Sequence, residues 1–412
     1  MAVLIGLVFL LSACQGGPRY EFHDLAVKEC VERYLGKSAD ELTARDLSAL
    51  SQLKAFTFDA YDQHVTSLRD LPELFPELRY VSLASSWFNE ARLSPEDCAI
   101  LENMESLRTV DIYADGLPSL DFAQDLPYVS LRYTEQSYLS DENKLPEASV
   151  LGRDFIESRV SGPVKEYVRV ADGERVFELI VTDYKYFANG DYCYETKIFV
   201  SEKRNGAYYF LENLDVPGRI DNAAAGLIIT DANFDGRKDV LVSQGQFGNQ
   251  GLARFACFLD GDGSYSLNGG FSDIANPAID RQSQKILSSW RNSAASHSWA
   301  MFSYINGEFI ETERLTQEPE SWTAEYDIEV WRHVVKYTSA ENKETESYLT
   351  SDYTDQEWTA MFYDEDSFWG LSADKWRTLS NQGILFDGSL YSNGLDAQIT
   401  EIIDEQQAGA AF

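Results

Sequence analysis

The chain has 412 residues, of which 68 are Asp or Glu and 34 are Lys or Arg, for a net charge of -34. So acidic a surface repels phosphate backbones and anionic lipid head groups, which argues against nucleic acid and against charge-driven membrane contact, and favours divalent metal ions and cationic partners. With 44% hydrophobic and 13% aromatic residues, the chain can fill the cores of two or three domains at roughly 100–200 residues each, so it is not a disordered coat.

Residues 2–11 are almost wholly apolar and lead directly into Leu11-Ser12-Ala13-Cys14, with no Lys or Arg before them. The run is too short to span a bilayer, which takes about 20 apolar residues, but it suits a signal-peptide core followed by small residues at the cut. The segment resembles the bacterial lipobox. That resemblance implies cleavage before Cys14, diacylglyceryl transfer to its sulfur and a stable hold on the outer side of a membrane. Residues 14–37 are then expected to be a lipid-anchored spacer, with the lipid on Cys14 as the sole membrane contact.

Residues 38–135 carry a recurring apolar spacing. Leu50, Leu53, Phe56 and Phe58 set the pattern, which returns at Phe75, Leu78, Val81 and Leu83, then at Met104, Leu107, Val110 and Ile112. A weaker copy holds Ala123, Leu126, Val129 and Leu131. The equivalent Leu53, Leu78, Leu107 and Leu126 lie 25, 29 and 19 residues apart. Ser38 to Glu41 and Thr43 to Asp46 read as capped helical turns leading in. The block resembles a short, degenerate leucine-rich-repeat array of the bacterial surface type, whose units are about 20–29 residues long, each a short strand plus a return segment. The Asn usual after such strands is replaced by Asp59, Ala84, Tyr113 and Arg132, and a plain α/β domain is the alternative. Polar composition over 136–152 marks a linker.

Residues 153–315 read as β structure, with Asn189-Gly190, Asn205-Gly206 and Asn306-Gly307 as hairpin turns. One helix is predicted near 281–290. Residues 316–412 form an aromatic-rich extension containing Trp358, Trp369 and Trp376, more suited to a core than to a ligand platform. Its tail after Ala397 is expected to be helical.

The sharpest chemical signal is Asp231-Ala232-Asn233-Phe234-Asp235-Gly236-Arg237-Lys238-Asp239. Oxygen side chains at alternate positions of a tight loop can converge on calcium, which takes six to eight hard oxygens at about 2.3–2.6 Å. Gly236 permits the turn, and Val242 stands where an EF-hand needs Glu. The flanks read as strands. The loop therefore resembles the FG-GAP or VCBS calcium loops of propeller-like repeat proteins. That resemblance implies ligation by the Asp231, Asn233, Asp235 and Asp239 side chains and by the Arg237 carbonyl. Asp260-Gly261-Asp262-Gly263 is explained by turn chemistry.

Cys30, Cys98, Cys193 and Cys257 form no C-x-x-C pair and read as buried thiols, with one or two disulfides as the alternative. Four histidines without H-E-x-x-H disfavour a catalytic zinc. No G-x-S-x-G, Walker or G-x-G-x-x-G motif occurs, so no catalytic residue is assigned. The expected fold class is α+β and multidomain: a leucine-rich-repeat-like array, then a mainly β domain of partial-propeller or sandwich form. The expected function is a lipid-anchored extracytoplasmic module with structural calcium that binds a protein or glycan ligand at the cell surface. The alternatives are an envelope inhibitor of cell-wall lytic enzymes, which residues 155–315 resemble, and an extracellular carbohydrate-active enzyme.

Overall fold

The computed structural model describes residues 20–58, 64–83, 91–114, 126–133, 149–160, 164–186, 192–218, 226–247, 252–281, 283–293, 296–322, 328–338, 343–354, 356–357 and 384–385. Several expectations fall outside them: the signal peptide and Cys14, the Asn189-Gly190 turn, most of the 136–152 linker, the stretch from Trp358 to Trp376 and the tail after Ala397. The chain is mainly β, with three sheets among the described residues. It divides into two compact units, one of residues 1–183, 197–213 and 398–412, the other of residues 184–196 and 214–397.

The first unit opens with α1 (Leu25–Leu35) and α2 (Ala44–Leu50), both capped by hydrogen-bonding side chains, Asp24 and Thr43. An eight-stranded sheet follows in simple chain order. Strands β1 (Ala55–Thr57), β2 (Tyr80–Leu83), β3 (Thr109–Ala114) and β4 (Tyr128–Tyr133) pair in parallel. Return segments carrying α3 (Leu71–Leu74) and α4 (Pro95–Glu102) separate the first three. A parallel pair needs such a crossover, and Pro at the first turn of each helix starts it where no N–H partner is lost. The register sets Phe56, Val81, Val110 and Val129 in one row and Leu83, Ile112 and Leu131 in another. All seven are buried in one core with Leu53, Leu78 and Leu107.

The opposite face of β2, β3 and β4 is also closed. Tyr80, Ser82, Thr109, Asp111, Tyr128 and Ser130 are each 6% exposed or less. The sheet then turns antiparallel through β5 (Glu166–Asp172) and β6 (Arg175–Tyr186), and ends with β7 (Tyr192–Arg204) and β8 (Ala207–Val216).

The second unit holds a four-stranded antiparallel sheet and a larger one. The smaller contains β9 (Leu227–Thr230), β10 (Asp239–Phe247), β11 (Leu252–Asp260) and β12 (Tyr265–Leu267) in the order β12-β11-β10-β9. The larger runs β18-β17-β16-β15-β14-β13-β19. Its strands are β13 (Ala278–Asp280), β14 (Lys285–Arg291), β15 (His297–Ile305), β16 (Glu308–Trp322), β17 (Ile328–Thr338), β18 (Lys343–Leu349) and β19 (Ile384–Leu385). Ile228, Leu241, Phe255, Cys257, Phe271 and Ile286 lie in one core. The two Asn-Gly turns among the described residues form as the sequence predicts, with positive φ at Asn205, Gly206, Asn306 and Gly307.

Three expectations are corrected. The 14–37 spacer contains α1, whose Ala26, Val27, Cys30 and Val31 are buried in the first core, so most of this stretch is fold rather than linker. No domain boundary separates 135 from 153 in the sheet, because β4 pairs directly with β5, and β16 runs unbroken through 315. The helix predicted near 281–290 is instead a hairpin, in which Ile279 pairs with Ile286 and β14 pairs with β15 on its other side. Ladder partners from other strands outweigh the local helical spacing, which is a weak preference by comparison.

Candidate metal-binding loop

Strands β9 and β10 close the 231–238 loop at the Thr230–Asp239 pair. Leu227, Ile228, Val240, Leu241 and Val242 bury both strands, so the loop ends are held by core packing. Two of its residues take left-handed backbone, Phe234 at φ 63° and Gly236 at φ 88°. For Phe234 this costs about 1–2 kcal/mol. Its ring packs on the core of the second unit, which offsets part of that strain.

Asp231 and Asn233 converge on one amide. The Asp235 N–H donates to Asp231 Oδ1 at 3.1 Å and to Asn233 Oδ1 at 3.1 Å. The Gly236 N–H donates to Asp231 Oδ2 at 2.9 Å. Asp235 is engaged by a cation from its own loop: Arg237 donates from Nη2 at 2.6 Å and from Nε at 3.1 Å to Asp235 Oδ2. Arg237 Nη1 reaches Asp262 Oδ1 at 2.5 Å in the turn between β11 and β12. The Arg237 side chain, with its other hydrogen bonds, holds the Asp235 carboxyl below its ordinary range.

Asp239 has a different position from the other loop carboxylates. It is fully buried, and its Oδ2 accepts from the Ala232 N–H at 2.8 Å while its Oδ1 accepts from the Asp260 N–H at 2.9 Å. It thereby ties the loop to the β11–β12 hairpin. Burial pushes its carboxyl up to about 6 against these amide bonds, and the Asp235 charge adds to the rise. Cys257 lies in the same core beside this charge. Burial, then the charge of Asp239, raises its thiol well above the usual range, so it stays a neutral packing group.

The donor set suits a hard divalent cation in its chemistry, with side-chain oxygens of Asp231, Asn233 and Asp235 in one loop, and the Arg237 guanidinium supplies a positive charge to Asp235; Asn233 Nδ2 also donates to Asp235 Oδ2 at 3.1 Å. The fit is incomplete in its placement. Among the described residues no three His, Cys, Asp or Glu side chains gather as a metal cluster. Both Asp239 oxygens serve backbone amides. Sequence spacing finds the loop but misses two features, the Arg237–Asp262 link and the bracing of Asp239, because each depends on a hairpin more than 20 residues away. The Asp260–Gly263 turn is closed by Gly263 N–H donating to Asp260 Oδ1 at 2.8 Å.

No protein family and no curated protein matches this sequence. Among solved structures, a Xanthomonas type IV secretion system related protein is similar at 19% identity and a TM-score of 0.32, over 44% of this chain and 93% of that one. A porin-like protein from Bacteroides uniformis aligns at 9% identity and a TM-score of 0.12, over 44% of this chain and 92% of that one. Scores this low do not establish a common fold.

Proposed function

We propose that the chain is a lipid-anchored extracytoplasmic binding protein, tethered through Cys14, in which the 231–239 loop holds a structural calcium ion. The observation that carries the metal reading is the convergence of Asp231 and Asn233 oxygens on one amide, with the Asp235 carboxylate balanced by an internal cation. Asp231, Asn233 and Asp235 are the side chains that would hold the ion, with the Arg237 carbonyl as a further ligand. Asp239 braces the loop from below. The ion supplies charge neutralisation, which a chain of net charge -34 needs.

Parallel strands whose apolar rows align at Phe56, Val81, Val110 and Val129 support a leucine-rich-repeat-like array. The central residues of β2, β3 and β4 are buried on both faces, which favours ligand contact at the return segments. A groove of about 680 Å³ lies there, lined by Pro72, Pro76, Ala99, Ile100 and Met104, among others.

Calorimetric titration of the detergent-solubilised full chain with calcium tests the metal reading. The wild type should give binding heat, and Asp235→Ala should abolish it. Unchanged heat in the variant, or none in the wild type, rejects a calcium loop at this position. Capture of envelope proteins or glycans by the immobilised chain tests the binding role. Recovery of no partner, with or without calcium, rejects that role.

A further inference from the structure

The groove on the return segments is walled by two successive units of the first sheet. One wall carries Pro72 in α3 and Pro76 just beyond it. The other is α4, which turns Glu96, Ala99, Ile100 and Asn103 to the groove, the i, i+3, i+4, i+7 set of one helical face. Its other face buries Cys98 and Leu101 in the first core. Bonds between the walls brace the groove. Ser106 Oγ, beyond α4, donates to the Pro76 and Leu78 carbonyls, each at 3.0 Å, and the Leu68 N–H, ahead of α3, donates to Asp97 at 2.7 Å. A groove held this way is formed before a ligand arrives, so binding orders little.

Its chemistry is an apolar floor with an acidic rim. Pro72, Pro76, Ala99, Ile100 and Met104 supply the floor, and the thioether of Met104 adapts to the shape of what it meets. Among the described residues the lining holds two carboxylates, Glu96 and Glu105, and no Lys or Arg. Glu73, Glu77 and Glu102 on the same segments are exposed as well. Arg79 and Arg92 do not line the groove. Arg108 Nη1 donates to the Glu105 and Leu107 carbonyls. Arg69 pairs with Glu96 at 2.6 Å, an exposed pair that a ligand cation can replace at little cost.

Other occupants fit less well. No aromatic ring is among the described lining residues, so a sugar finds nothing flat to stack on. Pro72 and Pro76 offer no N–H to an added strand. Nucleic acid, anionic lipid and a second copy of a chain of charge -34 are all repelled.

We propose that this groove takes a cationic protein segment in which an apolar side chain is flanked by Lys or Arg. The apolar group seats on Pro72, Pro76, Ile100 and Met104, and the cations face Glu96 and Glu105. This rests on the binding role proposed above and names the chemistry of the partner. The field of the acidic chain would steer such a segment inward, and the floor would select among cations.

The test pans short random peptides, displayed on phage, against the immobilised full chain at physiological salt. Enriched peptides are then synthesised with a fluorophore and titrated by anisotropy. Enrichment of Lys or Arg around an apolar residue is expected. Ala99→Trp, which fills the groove from an exposed helix position, should weaken these peptides by about tenfold or more. Glu96→Gln with Glu105→Gln should weaken them by about threefold or more. Glu174→Gln with Glu308→Gln, the same change of charge at exposed sites outside the groove, should leave affinity unchanged. No enrichment, enrichment of acidic or uncharged peptides, or undiminished binding by Ala99→Trp each overturns the proposal. Equal weakening by the two Gln pairs reveals general attraction to an acidic chain and overturns it too. An envelope partner captured equally by the wild type and Ala99→Trp overturns the groove and leaves the binding role standing. Capture of no partner by the wild type removes that role, and this inference with it.

Discussion

Gly236 and Phe234 show how the loop is built from single backbone choices. A methyl group at Gly236 would meet nothing within 4 Å, so the only penalty for Gly236→Ala is its positive φ of 88°. We expect a loss of about 1 kcal/mol in urea denaturation. Asp239→Asn is expected to cost more, about 2–3 kcal/mol. Its amide nitrogen would face a backbone N–H of Ala232 or Asp260, leaving a buried donor unsatisfied. Equal stability of the Asp239→Asn variant and the wild type would show that those amides find other partners.

The capping of α4 shows elements joined by one side chain. Ser94 and Asp97 form a reciprocal capping box, and Asp97 also holds the Leu68 N–H. Burial of Asp97 opposes ionisation, but the bonds from Ser94, Leu68 and Ser67 outweigh it, and its carboxyl sits below the ordinary range. The sign follows: a depressed carboxylate stabilises the fold above its unfolded value and loses that contribution as pH falls through the folded one. Asp97→Asn should therefore be less stable than wild type at pH 7, and the gap should narrow below about pH 4. A gap that stays constant across urea midpoints at pH 7 and pH 3 would show that the charge of Asp97 does not contribute. The equivalent Thr43–Asp46 box of α2 is legible in the sequence; the bond from Leu68 to Asp97 is not, because it crosses 29 residues.

For the whole molecule, calcium is expected to raise the thermal midpoint relative to a chelator, since a ligand that binds only the folded state stabilises it by about 2.7 kcal/mol at 100 times its dissociation constant. The same shift should be absent in Asp235→Ala. An equal shift in the two proteins would place the responsive site elsewhere. Monovalent salt alone should give a smaller rise, by screening a charge of -34.

Local rules made part of this protein readable without a structure. The Asn-Gly turns need left-handed backbone that few residues accept, the Ser38–Glu41 and Thr43–Asp46 capping boxes satisfy orphan amides nearby, and the apolar spacing around Leu53, Leu78 and Leu107 repeats within a window that a ladder can use. Long-range pairing decided the rest. Residues 285–291 became a strand because β13 and β15 offered hydrogen bonds on both sides. The first sheet resumed after the expected linker because β5 found the edge of β4. The stretch after Cys14 became fold because Asp70, some 50 residues on, captured Tyr20 and His23. Such contacts have no periodicity to read. Their partners are chosen by burial, where an unpaired amide or carboxylate costs more than any local preference supplies.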